Sequence, residues 1–540
     1  MDTATIVMII LCIIYVPIWV WVWRRPEQAA RLHLVKYGPT VMIKTRLGIN
    51  AMEKIGKYRR FWLVFGFVSK FISALLFFTM MYMLLLSIIN LPSRIGQGGI
   101  GIQYALAIPG FNPMLPLTYG VFALFVAMIV HEMGHGIQSR ANNCTVDSTG
   151  LLYGVVPLGA FCEPNEEELK KLPRRPQMDI YSAGISVNTF VAIISIALML
   201  LLCSAVTPAS FGQSVDDSDL PGVYYIDAKS PAYESGVPTS ALILGIKETG
   251  EESFHTVTAE TSGTMVRLDS DIDISPLNTY VLKYTLEDGA DHESGPMQMG
   301  ALIKAVTNNS PASKAGLQPL TYLYTISITS AGSETVVNYV DSILSFKALM
   351  ATTHPGDIAQ VTTASISDGG VIETVTHDPV TLTSSGSQGY LGISVSDSGF
   401  TFTTPSLMME SATNPFYNCT TPFSYVENFL RYLSGPFNGL DPIPNSITWW
   451  YDTPAGDTTW ILIKTLYWLF WLDILLAISN ALPAYPFDGG FLFEGGINWL
   501  LEKLGKKDEE ERKKLSGSAS NSVSTVVLVM FFLVLLAFVI

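Results

Sequence analysis

Tyr119-Gly120-Val121-Phe122-Ala123-Leu124-Phe125-Val126-Ala127-Met128-Ile129-Val130-His131-Glu132-Met133-Gly134-His135 is an apolar run that ends in residues of a different kind. With its flanks, 116–140, it has the length of a membrane helix, which takes roughly 20 apolar residues. Residues four apart share a helix face, so His131 and His135 can aim two imidazoles at one zinc ion. Glu132 is placed to take a proton from a zinc-bound water, whose pKa the metal lowers to about 7. Inside an apolar run each ionisable group is unfavourable by on the order of 2–3 kcal/mol or more. A satisfied pair of core histidines beside a helix end is the plain alternative, and the chemical reading outweighs it.

Working outward, about six stretches are long enough to span a bilayer: approximately 4–23, 61–90, 116–140, 179–205, 458–482 and 518–540. Hydrophobic residues are 49% and charged residues 14% of 540, too few charges for a soluble chain of this size. The run 4–23 lacks the basic start and small-residue exit of a cleaved signal and reads as a retained helix. Residues 24–60, 141–178 and 503–514 carry most of the membrane region's Lys and Arg, whereas 91–115 carries only Arg94. The spans predict an integral protein of the cell membrane, and the positive-inside rule sets its sides. Those three loops lie in the cytosol, and both termini and the large insert lie outside.

That insert, 206–457, has acidic side chains outnumbering basic ones more than threefold, so it carries more than the whole net charge of −14. Such a balance argues against nucleic acid as a partner. Its short Val/Ile/Thr/Tyr runs broken by Gly, Pro, Asp and Ser predict β structure. It also repeats: Ser230-Pro231-Ala232-Tyr233-Glu234-Ser235-Gly236-Val237 is echoed by Ser310-Pro311-Ala312-Ser313-Lys314-Ala315-Gly316-Leu317. These copies resemble the bacterial and archaeal type of PDZ domain, which binds extended peptide by strand addition. A β-rich spacer that binds nothing is the alternative for the first copy. The expected fold is a polytopic α-helical membrane protein with an inserted, extracytosolic β-rich PDZ tandem. Its parts are 1–205, a diverged first repeat at 206–298, a second at 299–400, a connector at 401–457 and the C-terminal membrane region at 458–540. Asn308-Asn309-Ser310 and Asn418-Cys419-Thr420 are sequons, weak glycosylation signals on the outer side.

A catalytic zinc needs a third protein ligand and an open position. The other histidines, His33, His255, His292, His354 and His377, fall in aqueous loops on this topology, so the third ligand is a carboxylate or thiolate. The five cysteines form no Cys-x-x-Cys pair. Asp473, inside the fifth apolar run, and Asp488, just after it, are both candidates. His131 lies roughly 13 Å from the cytosolic surface, counted along the helix to Arg140 at 1.5 Å per residue. Asp473 sits at a similar depth on a straight helix. Asp488 reaches that depth only if the chain bends back, as Pro483, Pro486 and Gly489-Gly490 permit.

His131-Glu132-Met133-Gly134-His135 followed late in the chain by Asn480-Ala481-Leu482-Pro483-Ala484-Tyr485-Pro486-Phe487-Asp488-Gly489-Gly490 resembles the site-2 protease family of intramembrane zinc metalloproteases. The resemblance implies that Asp488 is the third zinc ligand, that Leu151–Pro164 dips into the membrane as a β hairpin aligning substrate as an added strand, and that the insert is a PDZ pair. Two departures stand out. Phe487 replaces the usual Leu, and Ser182-Ala183-Gly184-Ile185-Ser186-Val187-Asn188 lacks the family's proline but keeps its Gly and Asn. Asn188 is therefore a candidate active-site hydrogen-bonding residue, with an interhelical contact as its alternative. Asp473 remains a candidate for supporting the metal ligands from behind or for gating.

The resulting expectation is a zinc-dependent metalloendopeptidase cutting membrane-anchored protein substrates in regulated intramembrane proteolysis, towards the cytosolic side. The competing expectation is a membrane receptor that captures peptides through the PDZ pair without cutting them. A proton-relay transporter fits worst, because no inverted repeat of broken helices is visible.

Overall fold

The computed structural model describes residues 3–94, 101–104, 107–113, 115–154, 157–210, 220–262, 265–330, 332–367, 370–416, 419–435 and 443–536. The chain divides into two compact units: Met1–Leu202 with Leu433–Gly439 and Thr458–Ile540, and Cys203–Tyr432 with Leu440–Asp457.

In the first unit, α1 (Thr3–Arg24) precedes α2 (Arg59–Ile89), α3 (Leu117–Ala141) and α4 (Arg174–Cys203). After the insert come α5 (Asp457–Asn480), α6 (Asp488–Lys503) and α7 (Glu509–Leu536). Among the described residues, five of these (α2, α3, α4, α5 and α7) are long and apolar enough to cross a membrane. The apolar stretch Cys12–Arg24 of α1 is shorter. The bundle is apolar on its outside: Phe61, Val64, Phe71, Leu75 and Phe78 on α2 are each more than 60% exposed, as suits a lipid solvent. Small residues face inward instead. A Cβ on Gly66 of α2 would come within 2.8 Å of Asp179 Cβ on α4, and Ser186 Oγ of α4 donates to the Ser69 carbonyl of α2 at 3.2 Å. Lys70 and Asp179 form an ion pair across the same contact.

Leu151–Pro164 belongs to a hairpin of β3 (Val146–Tyr153) and β4 (Pro157–Pro164). A second hairpin, β1 (Leu34–Tyr37) and β2 (Thr40–Thr45), comes from the first basic loop. β2 pairs with β3, giving the order β1-β2-β3-β4 with β4 at an edge. This ladder brings loops 25–58 and 142–173 together.

The second unit carries the repeat. Ser230 and Ser310 each cap a short helix, accepting from Tyr233 and Ser313 N–H, and Gly236 and Gly316 follow each helix with φ of 79° and 80°. The first repeat contains β5 (Gly222–Ile226), β6 (Leu242–Glu248), the hairpin β7–β8 (His255–Ser262, Met265–Ser270) and β9 (Thr279–Thr285). The second contains β10 (Ala301–Val306), β11 (Tyr322–Thr329), β12 (Ile358–Ile366) and β13 (Ile393–Asp397). A last strand, β14 (Phe400–Thr403), meets β13 of the second repeat only at Phe400↔Asp397 and runs its length along β5 of the first repeat, from Phe400↔Ile226 to Thr403↔Gly222. Phe400 and Phe402 accordingly pack with Val223, Ile243 and Tyr280.

The two copies are thus nested. Thr307 and Ala312 N–H donate to the Gly392 and Leu391 carbonyls, while Asp227 and Ala232 N–H donate to those of Gly399 and Ser398. Residues 401–403, expected in a connector, complete the first repeat, so the expected boundary at 400/401 does not fit this pairing. Of the two sequon asparagines, Asn308 is exposed in a turn, and Asn418 lies outside the described residues.

Candidate metal centre

The site is assembled from four helices of the first unit. α3 contributes His131, Glu132 and His135, and α4 lies against it because Gly134 has no side chain: a Cβ there would sit 3.0 Å from the Ala183 carbonyl oxygen. α5 ends at Asn480, and 481–487 turn back so that α6 starts at Asp488. Gly490 permits the reversal, since a Cβ on it would approach the Ala484–Tyr485 peptide to 2.9 Å. Tyr485 N–H is held by Ser524 Oγ of α7 at 3.2 Å. A carboxylate in the first turn of α6 also gains from that helix's positive end.

Asp488 Oδ2 lies 3.2 Å from His131 Nε2 and 3.2 Å from His135 Nε2, and the two Nε2 atoms are 3.2 Å apart. Hydrogen bonds behind the rings set their tautomers. His135 Nδ1 is 2.8 Å from the Ile180 carbonyl, which can only accept, so Nδ1 carries the proton and Nε2 a lone pair. Asn188 Nδ2 donates to the Ala127 carbonyl at 3.1 Å and to Asp473 Oδ1 at 3.0 Å. Its Oδ1 is thereby turned to His131 Nδ1 at 3.2 Å, and His131 has the same tautomer.

With both rings neutral, three lone-pair atoms converge, and Asp488 Oδ2 is buried without a hydrogen-bond partner. Such a set is repulsive unless a cation joins it. Tetrahedral zinc ligands about 2.0–2.1 Å from the metal stand about 3.3 Å apart, close to the spacing here. Gly184 keeps the space open. A Cβ on it would overlap His135 Nε2 and lie 2.7 Å from His131 Cε1 and 2.8 Å from His131 Nε2. The residues fit a zinc ion with an open side.

His131, His135 and Asp488 are brought together; among the described residues they form the one such cluster of His, Cys, Asp and Glu. Asp473 is not part of it. It stands behind Asn188, and the depth argument that favoured it fails because the chain reverses after Asn480. Glu132 Oε2 accepts the Cys162 N–H of β4 at 2.8 Å, which fixes the carboxylate beside the histidines. Three contributors were not anticipated: the Ile180 carbonyl, the Cys162 amide and the space at Gly184. Two are main-chain groups that leave no mark on side-chain identity.

The helical bundle thus gathers two imidazoles and a carboxylate at one point, with a glutamate beside them. The chain belongs to peptidase family M50, the site-2 protease family, which it matches over residues 119–530. It is also 32% identical over 202 residues to an uncharacterized protein of Methanocaldococcus jannaschii, a match covering 37% of this chain and 52% of that protein. The chain thus spans about half the length of this curated relative.

Proposed function

We propose that this chain is a zinc-dependent metallopeptidase that hydrolyses peptide bonds of membrane-anchored protein substrates within the bilayer, towards its cytosolic side. The observation that carries the reading is the convergence of His131 Nε2, His135 Nε2 and Asp488 Oδ2 inside a lipid-exposed bundle. When bound there, zinc lowers the pKa of a water towards neutrality and polarises the scissile carbonyl. His131, His135 and Asp488 hold the ion, and Glu132 takes the proton from the attacking water and passes it to the leaving amine. The acidic insert, read as a PDZ pair outside the cell, binds extended peptide and presents or filters substrates. By family resemblance, the outcome is release of a regulator or clearance of a trimmed membrane remnant.

β4 supports a place for the substrate. It is an edge strand whose Cys162 N–H points away from β3 towards Glu132. By alternation, Ala160 faces the same open edge. A helical substrate hides its backbone in its own hydrogen bonds and must be drawn out before water can attack it. A strand laid along Ala160 would present its next peptide bond to Glu132.

The function is tested with the intact chain and a single-span substrate. Stripping the metal with a chelator is expected to lower cleavage at least about 100-fold, and added zinc to restore it. Cleavage that survives complete zinc removal would overturn the proposal. Protein that holds no zinc but captures exported peptides would favour a receptor.

Cys162→Pro tests the positioning of Glu132. Proline is tolerated on an edge where its missing N–H faces outward, so the β3–β4 ladder stays whole. Cleavage is expected to fall roughly 10–100-fold with zinc retained, as for loss of a supporting hydrogen bond, while Cys162→Ala stays near the parent. Equal rates for all three would show that the amide does not hold the carboxylate.

A further inference from the structure

We infer that Asp473 is a positioning residue of the metal centre: by holding Asn188 in one amide orientation, it sets the tautomer and aim of His131. The inference rests on the zinc-site reading above and extends it to a residue that touches neither the ligand cluster nor substrate.

Asp473 lies in the second half of α5 and is fully buried, as is Asn188 on α4. Its Oδ1 accepts one hydrogen of the Asn188 amide at 3.0 Å, and Oδ2 has no hydrogen-bond partner among the described residues. A carboxyl in an apolar helix is unfavourable, and an apolar side chain there would escape that penalty. One hydrogen bond is what the acid contributes, and it falls on the amide that addresses a metal ligand.

The chemistry of an amide explains why this bond matters. The two ends of an asparagine side chain are nearly the same shape and differ in sign: one accepts and the other donates two hydrogens. Flipped, Asn188 would offer its NH₂ to His131 Nδ1. That would draw the ring proton to Nε2 and remove the lone pair aimed at the metal. Two acceptors on the NH₂ side, Asp473 Oδ1 and the Ala127 carbonyl, oppose the flip. With Asp473 gone, a single carbonyl remains to oppose it. His135 needs no such device, because the Ile180 carbonyl cannot invert. The relay His131–Asn188–Asp473 thus does with side chains what the main chain does for the other imidazole. Partners behind ligating histidines typically change metal affinity 10–100-fold when removed.

The test uses the full chain in detergent, with zinc affinity read by competition against a chromophoric chelator and cleavage measured at saturating zinc. Asp473→Leu removes the acceptor and is expected to weaken zinc roughly 10–100-fold, while Asp473→Asn, which keeps an acceptor oxygen, stays within about threefold of the parent. Saturating zinc should restore most of the cleavage by Asp473→Leu. An Asp473→Leu chain with parental zinc affinity, or an Asp473→Asn chain weakened as much as Asp473→Leu, would overturn the inference.

Should Asp473→Leu fail to fold, Asp473→Ala decides, because it removes the same acceptor without adding bulk: zinc affinity is expected to fall by the same roughly 10–100-fold, and parental affinity would overturn the inference. A parent that binds no zinc would sink both the function and this relay. A zinc-binding, cleaving parent with an indifferent Asp473→Leu variant would sink the relay alone.

Discussion

Replacing Glu132 by Gln is expected to reduce peptide-bond cleavage at least about 10³-fold while leaving zinc bound. The side chain keeps its length, and its amide oxygen can still accept the Cys162 N–H that fixes the residue beside β4. Neither imidazole bonds to Glu132: His131 Nδ1 faces Asn188 and His135 Nδ1 faces the Ile180 carbonyl. The metal ligands should therefore hold their geometry. What the amide lacks is a site for a proton, so water cannot be activated and the leaving amine receives none. Metal analysis of the purified variant, alongside cleavage of a single-span substrate, separates this outcome from simple disruption. A Glu132→Gln chain that cuts at the parental rate would remove the general base from the proposal.

Much of this centre is legible because its donors obey local rules. Two histidines at i and i+4 share a helix face whatever else the chain does, and a His-Glu-x-x-His inside an apolar run admits few other uses. Asp488 is a different case. Its distance from the histidines depends on whether the chain continues past Asn480 or reverses, and prolines and glycines permit a bend without giving its direction. Counting depth along straight helices favoured Asp473 for that reason. The same limit hides the Cys162 amide and the Ile180 carbonyl, since every residue has an N–H and a C=O and only the fold selects one.

The insert illustrates the point at larger scale. Ser-Pro-Ala followed by glycine is readable in both copies, because capping serine and left-handed glycine are local requirements. The nesting is not. β14 belongs to the first repeat although the entire second repeat intervenes, and four residues at Phe400–Thr403 are too short a pattern to be matched to Gly222–Ile226 by periodicity. The β1–β2 hairpin is hidden in the same way: its Leu34–Thr45 segment lies in a short basic loop, and Gly38-Pro39 alone marks the turn between its two strands. In each case a short element takes its identity from a distant partner.

Two unrelated substitutions should abolish the metal site outright, and their agreement is the strongest check on the geometry. Asp488→Ala removes the carboxylate that faces both Nε2 atoms at 3.2 Å, leaving two neutral imidazoles for a divalent ion. Zinc affinity should fall by at least about 10³-fold, because a catalytic zinc needs three protein ligands. Gly184→Ala leaves every ligand in place and adds one methyl group, yet that methyl overlaps His135 Nε2 and crowds His131 from the same side. His135 cannot swing away without losing the Ile180 carbonyl, and Gly134 keeps α3 tight against α4. The methyl group therefore occupies space the ion needs. Both variants should purify without zinc and without activity, and thermal unfolding should show a folded chain. Glu132→Gln, by contrast, keeps its zinc. A Gly184→Ala chain that binds a full equivalent of zinc would mean that the imidazoles do not converge on the face of α4 from which Gly184 looks out, and the proposed centre would have to be abandoned.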